Sequence, residues 1–436
     1  MSQSPSFRAG PLLHATPIQA EQPTGTAAAR IEFVFACATV FLAPMNVLRL
    51  ESFYFTASDA FACLCLGMMI LNRPLPLRPL GPGSAYWIFG LVTMIGALLA
   101  SSLVAGVVDR GLILSMQYLF AYFLLPLILL ARPWPQTATL MKVFVASLVV
   151  MILHGIYVVD FVGKTNTQFV SGSGRLLGFV ERDNECGSLI ALTVPMILSM
   201  AAMRIISPFL AWLVLLPLLA YGIMLTGSNT ALYGMLYGIG IFFLATLNAK
   251  RAVMGIAAAY LVWVGLNTPT VREYLPAAFQ KRVLTGIDSG SLDQAGTFAD
   301  RMQLNEEAIR LGSDAMLLGY GADQYRQISE WLAPVHNLYL LIWNEGGAIA
   351  LAGFVVMLAG GAITLAATLR YRGSRPVFVC GLSTLSLFAV LINAVPHVYG
   401  RFWTVPVLLS LAPAVTFLAE GPWRRDRSGA RQPGAA

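Results

Sequence analysis

Charge is what this chain has least of. Of its 436 residues, 11% are Asp, Glu, Lys or Arg and 57% are hydrophobic, and the mean hydropathy is +0.71. Soluble globular domains carry about twice that charged fraction, so a soluble globule is excluded. The sequence has no P-loop, no Cys/His zinc spacing, no Gly-x-Ser-x-Gly nucleophile elbow and no acidic Asp-x-Asp cluster on its outer loops. Gly172-Ser173-Gly174 reads as a flexible turn. Neither a metal, a cofactor nor a nucleic-acid partner is expected. The five cysteines (Cys37, Cys63, Cys65, Cys186 and Cys380) lie in or beside apolar segments. Cys63 and Cys65 would point about 200° apart on a helix, which suits neither a disulfide nor a metal clip. All five read as small hydrophobes. Residues 1–30 hold no apolar core and therefore no visible cleavable signal; they are expected to be a disordered tail.

What the chain does have is apolar runs. Stretches of roughly 17–25 residues are long enough to cross a bilayer as helices. Twelve are expected, at about 31–48, 56–71, 85–107, 111–131, 140–161, 186–203, 208–225, 230–248, 252–267, 347–369, 376–394 and 401–419. The second is short and the sixth and seventh lie close together, so the expected range is ten to twelve. The fold class is an all-α polytopic membrane protein with one large outer loop.

Basic residues orient this bundle. With the N-terminus inside, the inner connections hold Arg73, Arg78, Arg132, Arg204, Lys250, Arg251, the Arg370–Arg375 group and a basic tail from Arg424, which is the positive-inside pattern. Other cations lie outside against that trend, from Lys164 and Arg175 through Lys281, Arg282 and Arg301 to Arg326 and Arg401. Cations kept on the translocated side suit an anionic ligand; anionic lipid headgroups are the alternative. The net charge of +7 is thus divided between topology and a candidate site.

Two outer loops are substantial, about 162–185 and 268–335. The second is long enough to be functional or separately folded. Thr297 is placed to cap a segment from Phe298 to Leu311, with Leu304, Ala308 and Leu311 on one face. The expected organisation is a cytoplasmic tail over 1–30, helices one to nine over 31–267, the large loop with short helices over 268–335, helices ten to twelve over 336–419 and a basic tail over 420–436. His336, one of four histidines, falls where the large loop meets an apolar helix. A titratable imidazole there can move protons at a membrane surface; a helix cap or solvated residue is the alternative. His397, in a short outer turn with Tyr399 and Arg401, is a further candidate for the same site. His154 reads as an interhelical residue, and Asp59 and Asp160 lie near helix ends, where capping competes with an intramembrane role.

Four patterns in order carry a resemblance. They are Arg175-Leu176-Leu177-Gly178 with Asn184 and Pro195, then Thr226-Gly227-Ser228-Asn229-Thr230-Ala231-Leu232, then Arg301 with Gly319-Tyr320-Gly321, and His336-Asn337-Leu338-Tyr339-Leu340 with Glu345, Gly346 and Phe354. Over roughly residues 170–360 the chain resembles the O-antigen ligase and polymerase superfamily. The resemblance implies a GT-C-like, metal-independent inverting glycosyltransferase of the bacterial inner membrane with its site facing the periplasm. It implies an undecaprenyl-pyrophosphate-linked oligosaccharide as donor and a glycan or the lipid A core as acceptor, with membrane lipids and other polysaccharide-assembly proteins as partners. By position, Arg175 and Arg301 would hold the pyrophosphate and His336 would orient or deprotonate the acceptor hydroxyl. Asn337 and Glu345 would position the helix entrance, Glu345 also holding the imidazole, with Asn184 and His397 in support. Asn229 stands where the second motif usually has arginine, so Arg182 or Arg401 would supply that contact. Asp183 stands where the first motif usually has proline. An exopolysaccharide or O-antigen repeat-unit polymerase is the leading expectation, and an O-antigen ligase the alternative. A polysaccharide or lipid transporter or flippase is the rival of another class, though the polar residues gather on one face and no repeat is visible. A scaffold of an export complex is the remaining possibility.

Overall fold

Apolar sequence of this length leaves the backbone no hydrogen-bond partner but itself in a membrane, and the helix satisfies it. The computed structural model describes residues 26–50, 54–246, 253, 255, 260, 263–289 and 298–421. Twelve principal helices are described: α1 Ala27–Leu42, α2 Ala57–Asn72, α3 Ser84–Val104, α4 Val108–Leu129, α5 Trp134–Val162, α6 Asp183–Ala202, α7 Leu210–Thr226, α8 Asn229–Thr246, α9 Phe298–Asp314, α10 Leu338–Thr368, α11 Arg375–Leu391 and α12 Arg401–Glu420. A two-residue antiparallel ribbon, Arg49–Leu50 with Phe55–Thr56, joins α1 to α2. Among the described residues, seven helices are long and apolar enough to span a membrane, and α2, α7 and α11 are shorter apolar helices. The chain is an all-α, multi-pass membrane protein.

Eleven of the twelve expected segments fall on these helices. The ninth, 252–267, lies largely outside the described residues, as do Thr297 and most of both tails. The tenth segment, expected from 347, is the part of α10 beyond a break at Gly347; a further helical stretch precedes it from Leu338, where the Asn337 side chain accepts from Tyr339 N at 3.0 Å and Leu340 N at 3.3 Å. Gly347, at φ 73°, is a kink inside the helix.

Helix ends sort to opposite ends of the bundle. At one, Asp59 of α2 pairs with Arg401 of α12, Leu338 N donates to Ile392 O at 2.9 Å and Leu176 N to Leu225 O at 2.9 Å. At the other, Glu32 of α1 takes Arg73 at 2.8 Å and Arg132 at 3.2 Å, and Arg375 Nε donates to Ala245 O at 2.8 Å. Arginines of the short connections thus gather at the Glu32 end, while the two long loops belong to the Asp59 end.

Helices α6 and α12 are buried along most of their length. The closest helix–helix seam is α3 against α10, built on small residues that let backbones approach. A Cβ on Gly90 would lie 2.3 Å from Met357 N, and one on Gly353 2.5 Å from Met94 N. The large loop is anchored to α10 by backbone: Tyr320 N donates to Asn344 O at 2.7 Å and Gly321 N to Glu345 O at 2.9 Å. A Cβ on Gly319 would lie 2.6 Å from Asn344 O, so glycine there is a condition of the contact. Helix α9 turns Ala308 into a small core with Tyr325, Val335 and Leu341. Glu307 beside it accepts from Ser329 Oγ and Glu330 N, both at 2.7 Å.

Candidate functional site

The first and second motifs are tied together by one side chain. Arg175 Nε donates to Thr226 O at 2.7 Å, its Nη2 to Asn184 Oδ1 at 2.9 Å, and its Nη1 pairs with Asp183 Oδ2 at 2.8 Å. Ser228 Oγ donates to the same Asn184 oxygen at 2.9 Å. Gly178 and Gly227, at φ 60° and 54°, supply the left-handed turns that bring these segments together. Asn184 is therefore the node of a clasp between the start of α6 and the α7–α8 turn.

Against this clasp lies a cavity of about 230 Å³ lined by Arg182, Asp183, Asn184, Glu185, His336 and Pro396 among others. His336 reaches it because Asn337 caps α10 and Leu338 bonds to Ile392, which sets the imidazole beside the α11–α12 connection. Burial first, then the positive fields of Arg301 and Arg182, lower the His336 pKa below its ordinary 6.5. At neutral pH it is an uncharged base with a free lone pair.

Arginines crowd the same region. Burial lowers the Arg175 pKa to about 10, with Arg282 and Arg301 adding repulsion and Asp183 opposing it. Arg301 is likewise lowered by burial and then by Arg282, with Asp183 again the opposing charge. Arg282 thus lies within Coulombic reach of both Arg175 and Arg301, and Asp183 is the opposing carboxylate for those two. Among the described residues no ion pair engages Arg282 or Arg301, and the buried Arg282 Nε has no hydrogen-bond partner. Elsewhere on this face arginines are matched: Arg272 with Asp288 at 2.8 Å, Arg310 with Glu330 at 2.6 Å and Arg326 with Asp323 at 3.3 Å. Cations left without an ion pair among the described residues, beside a neutral imidazole, have the chemistry that charge-assisted hydrogen bonds to an anion require.

The residues singled out in the sequence separate into groups. Arg182, Asn184 and His336 line one cavity, Arg175 adjoins it through Asp183 and Asn184, Asn337 caps the helix behind His336, and Arg301 reaches His336 by its field without lining the cavity. Arg401 does not join them. Its guanidinium is held by both Asp59 oxygens, by Gln117 Oε1 at 3.0 Å and by Tyr399 O at 2.7 Å, and it stacks on the Phe120 ring. Asp59 itself closes a capping box with Thr56, so the capping alternative describes it. Glu345 does not hold the His336 imidazole: it lies two turns further along α10 and lines a separate cavity of about 40 Å³ with Arg110, Asp323, His397 and Tyr399. The His397 pKa falls to about 4, from burial and then the Arg182 field. His154 packs between the Phe169 and Phe179 rings, and Asp160 accepts from Tyr221 Oη at 2.9 Å.

Arg282 and Glu185 were not singled out by motif. Arg282 was visible only as one of the outer cations, and its placement depends on Phe279, Val283 and Leu284 packing against Met224 and Leu232. Among the described residues no group of three His, Cys, Asp or Glu side chains is disposed to hold a metal ion.

Residues 212–355 match the family model described as O-antigen ligase. The matched stretch contains Arg282, Arg301, His336, Asn337 and Glu345, and ends before Arg401. No curated protein matches the chain.

Proposed function

With residues 212–355 forming an O-antigen ligase family domain, we propose that this protein is a glycosyltransferase of surface-polysaccharide biosynthesis acting at the periplasmic face of the bacterial inner membrane. Its donor is an oligosaccharide on an undecaprenyl-pyrophosphate carrier, and its acceptor is a sugar hydroxyl of a second lipid-linked chain or of the lipid A core. The observation that carries this reading is the buried Arg175, paired with Asp183 at 2.8 Å and within the fields of Arg282 and Arg301, near a neutral His336.

In this mechanism the pyrophosphate oxygens take the free donors of Arg301 and Arg282, and one arm of Arg175 in exchange for Asp183. As the anomeric C–O bond to the pyrophosphate breaks, these guanidiniums stabilise the charge that develops on the leaving group. The acceptor oxygen attacks the opposite face of the anomeric carbon, which inverts its configuration. His336 takes the acceptor proton, a role that contributes about 10²–10⁴-fold in rate. Arg282 stands in for the arginine that the second motif lacks at Asn229, a part assigned from the motifs to Arg182 or Arg401.

Polymerase and ligase share this donor chemistry and differ in acceptor; a repeat-unit polymerase is the form we favour. Purified protein in lipid nanodiscs, supplied with lipid-linked repeat units alone, should lengthen the glycan. Transfer that requires lipid A core would convert the assignment to a ligase, and no transfer to either acceptor would refute the glycosyltransferase.

A further inference from the structure

A second cavity, of about 280 Å³, shares a wall with the first: Glu181, Arg182 and Glu185 line both. It opens toward the α1–α2 ribbon and the α11–α12 connection, with Asn46, Tyr54, Gln117 and Tyr399 on its sides. The wall is fixed by Glu181, which sits at φ 71° and accepts from Asn46 Nδ2 at 3.0 Å and from Arg49. A non-glycine residue in that conformation persists only where its surroundings hold it.

The arginines of the second cavity are already engaged. In the second, every arginine has an acidic partner: Arg49 with Glu181, Arg401 with Asp59 and Arg182 with Glu185 at 3.7 Å. These guanidiniums are less available to a pyrophosphate than those of Arg282 and Arg301, which have no ion pair among the described residues. The rest of the cavity's polar lining comprises the amides of Asn46 and Gln117, the Thr56 hydroxyl, the His397 imidazole and the carboxylates of Glu181 and Glu185, with the rings of Tyr54, Tyr399 and Phe402 beside them. Sugars present that complement: hydroxyls that both donate and accept, and C–H faces that lie on aromatic rings. The volume falls just below the ~300–1,000 Å³ of drug-sized sites, which suits a sugar ring rather than a lipid chain.

We propose that this second cavity seats the terminal sugar of the acceptor, with its reacting hydroxyl directed across the Glu181–Glu185 wall toward His336. The assignment rests on the glycosyltransferase reading above and adds the place of the acceptor. Glu185 lies on that wall, and among the described residues its carboxylate meets only Arg182, leaving acceptor capacity for a sugar hydroxyl.

Two probes separate the cavities. The full chain in nanodiscs is titrated with the phosphate-free oligosaccharide released by mild acid from the producing cell's lipid-linked repeat unit, and separately with inorganic pyrophosphate. Tyr54→Ala and Asn46→Leu should each weaken oligosaccharide binding by roughly tenfold, the scale of one or two lost hydrogen bonds, and leave pyrophosphate binding as in the wild type. Arg301→Ala should do the reverse. Tyr54 is exposed on a loop, so its variant folds even where Asn46→Leu does not. Oligosaccharide binding unchanged in Tyr54→Ala, or undetectable in the wild type, overturns the proposal. Pyrophosphate binding insensitive to Arg301→Ala contradicts the donor assignment instead, and is read from the other probe.

Discussion

Asp183 holds one arm of Arg175 at 2.8 Å, at a position where the motif it resembles usually carries proline. The pair keeps Arg175 charged in a buried setting, and it also puts a carboxylate where a phosphate oxygen would bind. Removing that charge as Asp183→Asn should tighten inorganic pyrophosphate binding by about threefold to tenfold, the scale of one partly exposed charge interaction. Calorimetric titration of the purified chain measures it. Weaker binding in the variant would mean that Asp183 only organises Arg175 and does not compete with the ligand.

Arg282, without an ion pair among the described residues, is the cation with the largest effect on both Arg175 and Arg301. Hydrogen bonds to charged groups contribute about 1.5–3 kcal/mol each. Arg282→Ala should therefore raise the donor KM by roughly 10- to 100-fold, and Arg282→Lys should recover part of the loss as a point charge without the fork. Arg182→Ala, whose guanidinium is 61% exposed, should change the donor KM much less. Equal effects at the two positions would remove Arg282 from its special place.

The acid limb of the rate profile follows from His336. Its pKa is depressed by burial and by Arg301 and Arg182, so the imidazole remains neutral, and active, to below pH 6.5. Arg182→Gln removes one of those two fields and should move the limb to higher pH. Stability carries the same sign. A histidine with a lowered folded pKa binds fewer protons folded than unfolded, so stability is lost as pH falls through that interval. For His397 the interval runs from 6.5 down to about 4. The thermal midpoint should drop from pH 7 to pH 5, and His397→Gln should drop less. A limb that Arg182→Gln leaves in place would contradict the field acting on His336.

Arg401 is a test of structure against motif expectation. Its guanidinium is bound on all sides and its side chain is 4% exposed, against 0% for Asp59. Taking away one partner of a buried pair costs about 3–5 kcal/mol. Arg401→Met should lower the unfolding midpoint by several degrees while the donor KM of the folded fraction stays near wild type. A large rise in donor KM with unchanged stability would return Arg401 to the donor site.

The helices were legible because apolar length is a property of each segment alone. Asn337 at the helix entrance came from the motif resemblance, and the structure shows how it acts there, as the cap of α10. The break at Gly347 matches the start of the expected tenth segment, and the glycine there admits the Leu317–Leu318 backbone; the helical stretch from Leu338 that precedes it was not part of that segment. Among site residues, His336 and Arg301 stood out by rarity and by place against the charge trend. Arg401 and Arg282 did not sort correctly, for one physical reason: both are outer arginines, and only tertiary contacts decide which has a carboxylate. Asp59 is 342 positions from Arg401 in sequence, so no local pattern shows that Arg401 is spent. Glu345 was drawn toward His336 by sequence nearness, but about 1.5 Å of rise per residue carries it two turns away.

The most direct test of the account is single-turnover transfer by the purified chain in nanodiscs, with lipid-linked repeat units as donor and acceptor, comparing the wild type with His336→Ala. The account predicts a fall in rate of about 100-fold or more at saturating donor, with pyrophosphate affinity and thermal midpoint unchanged. Transfer at the wild-type rate by His336→Ala would contradict it.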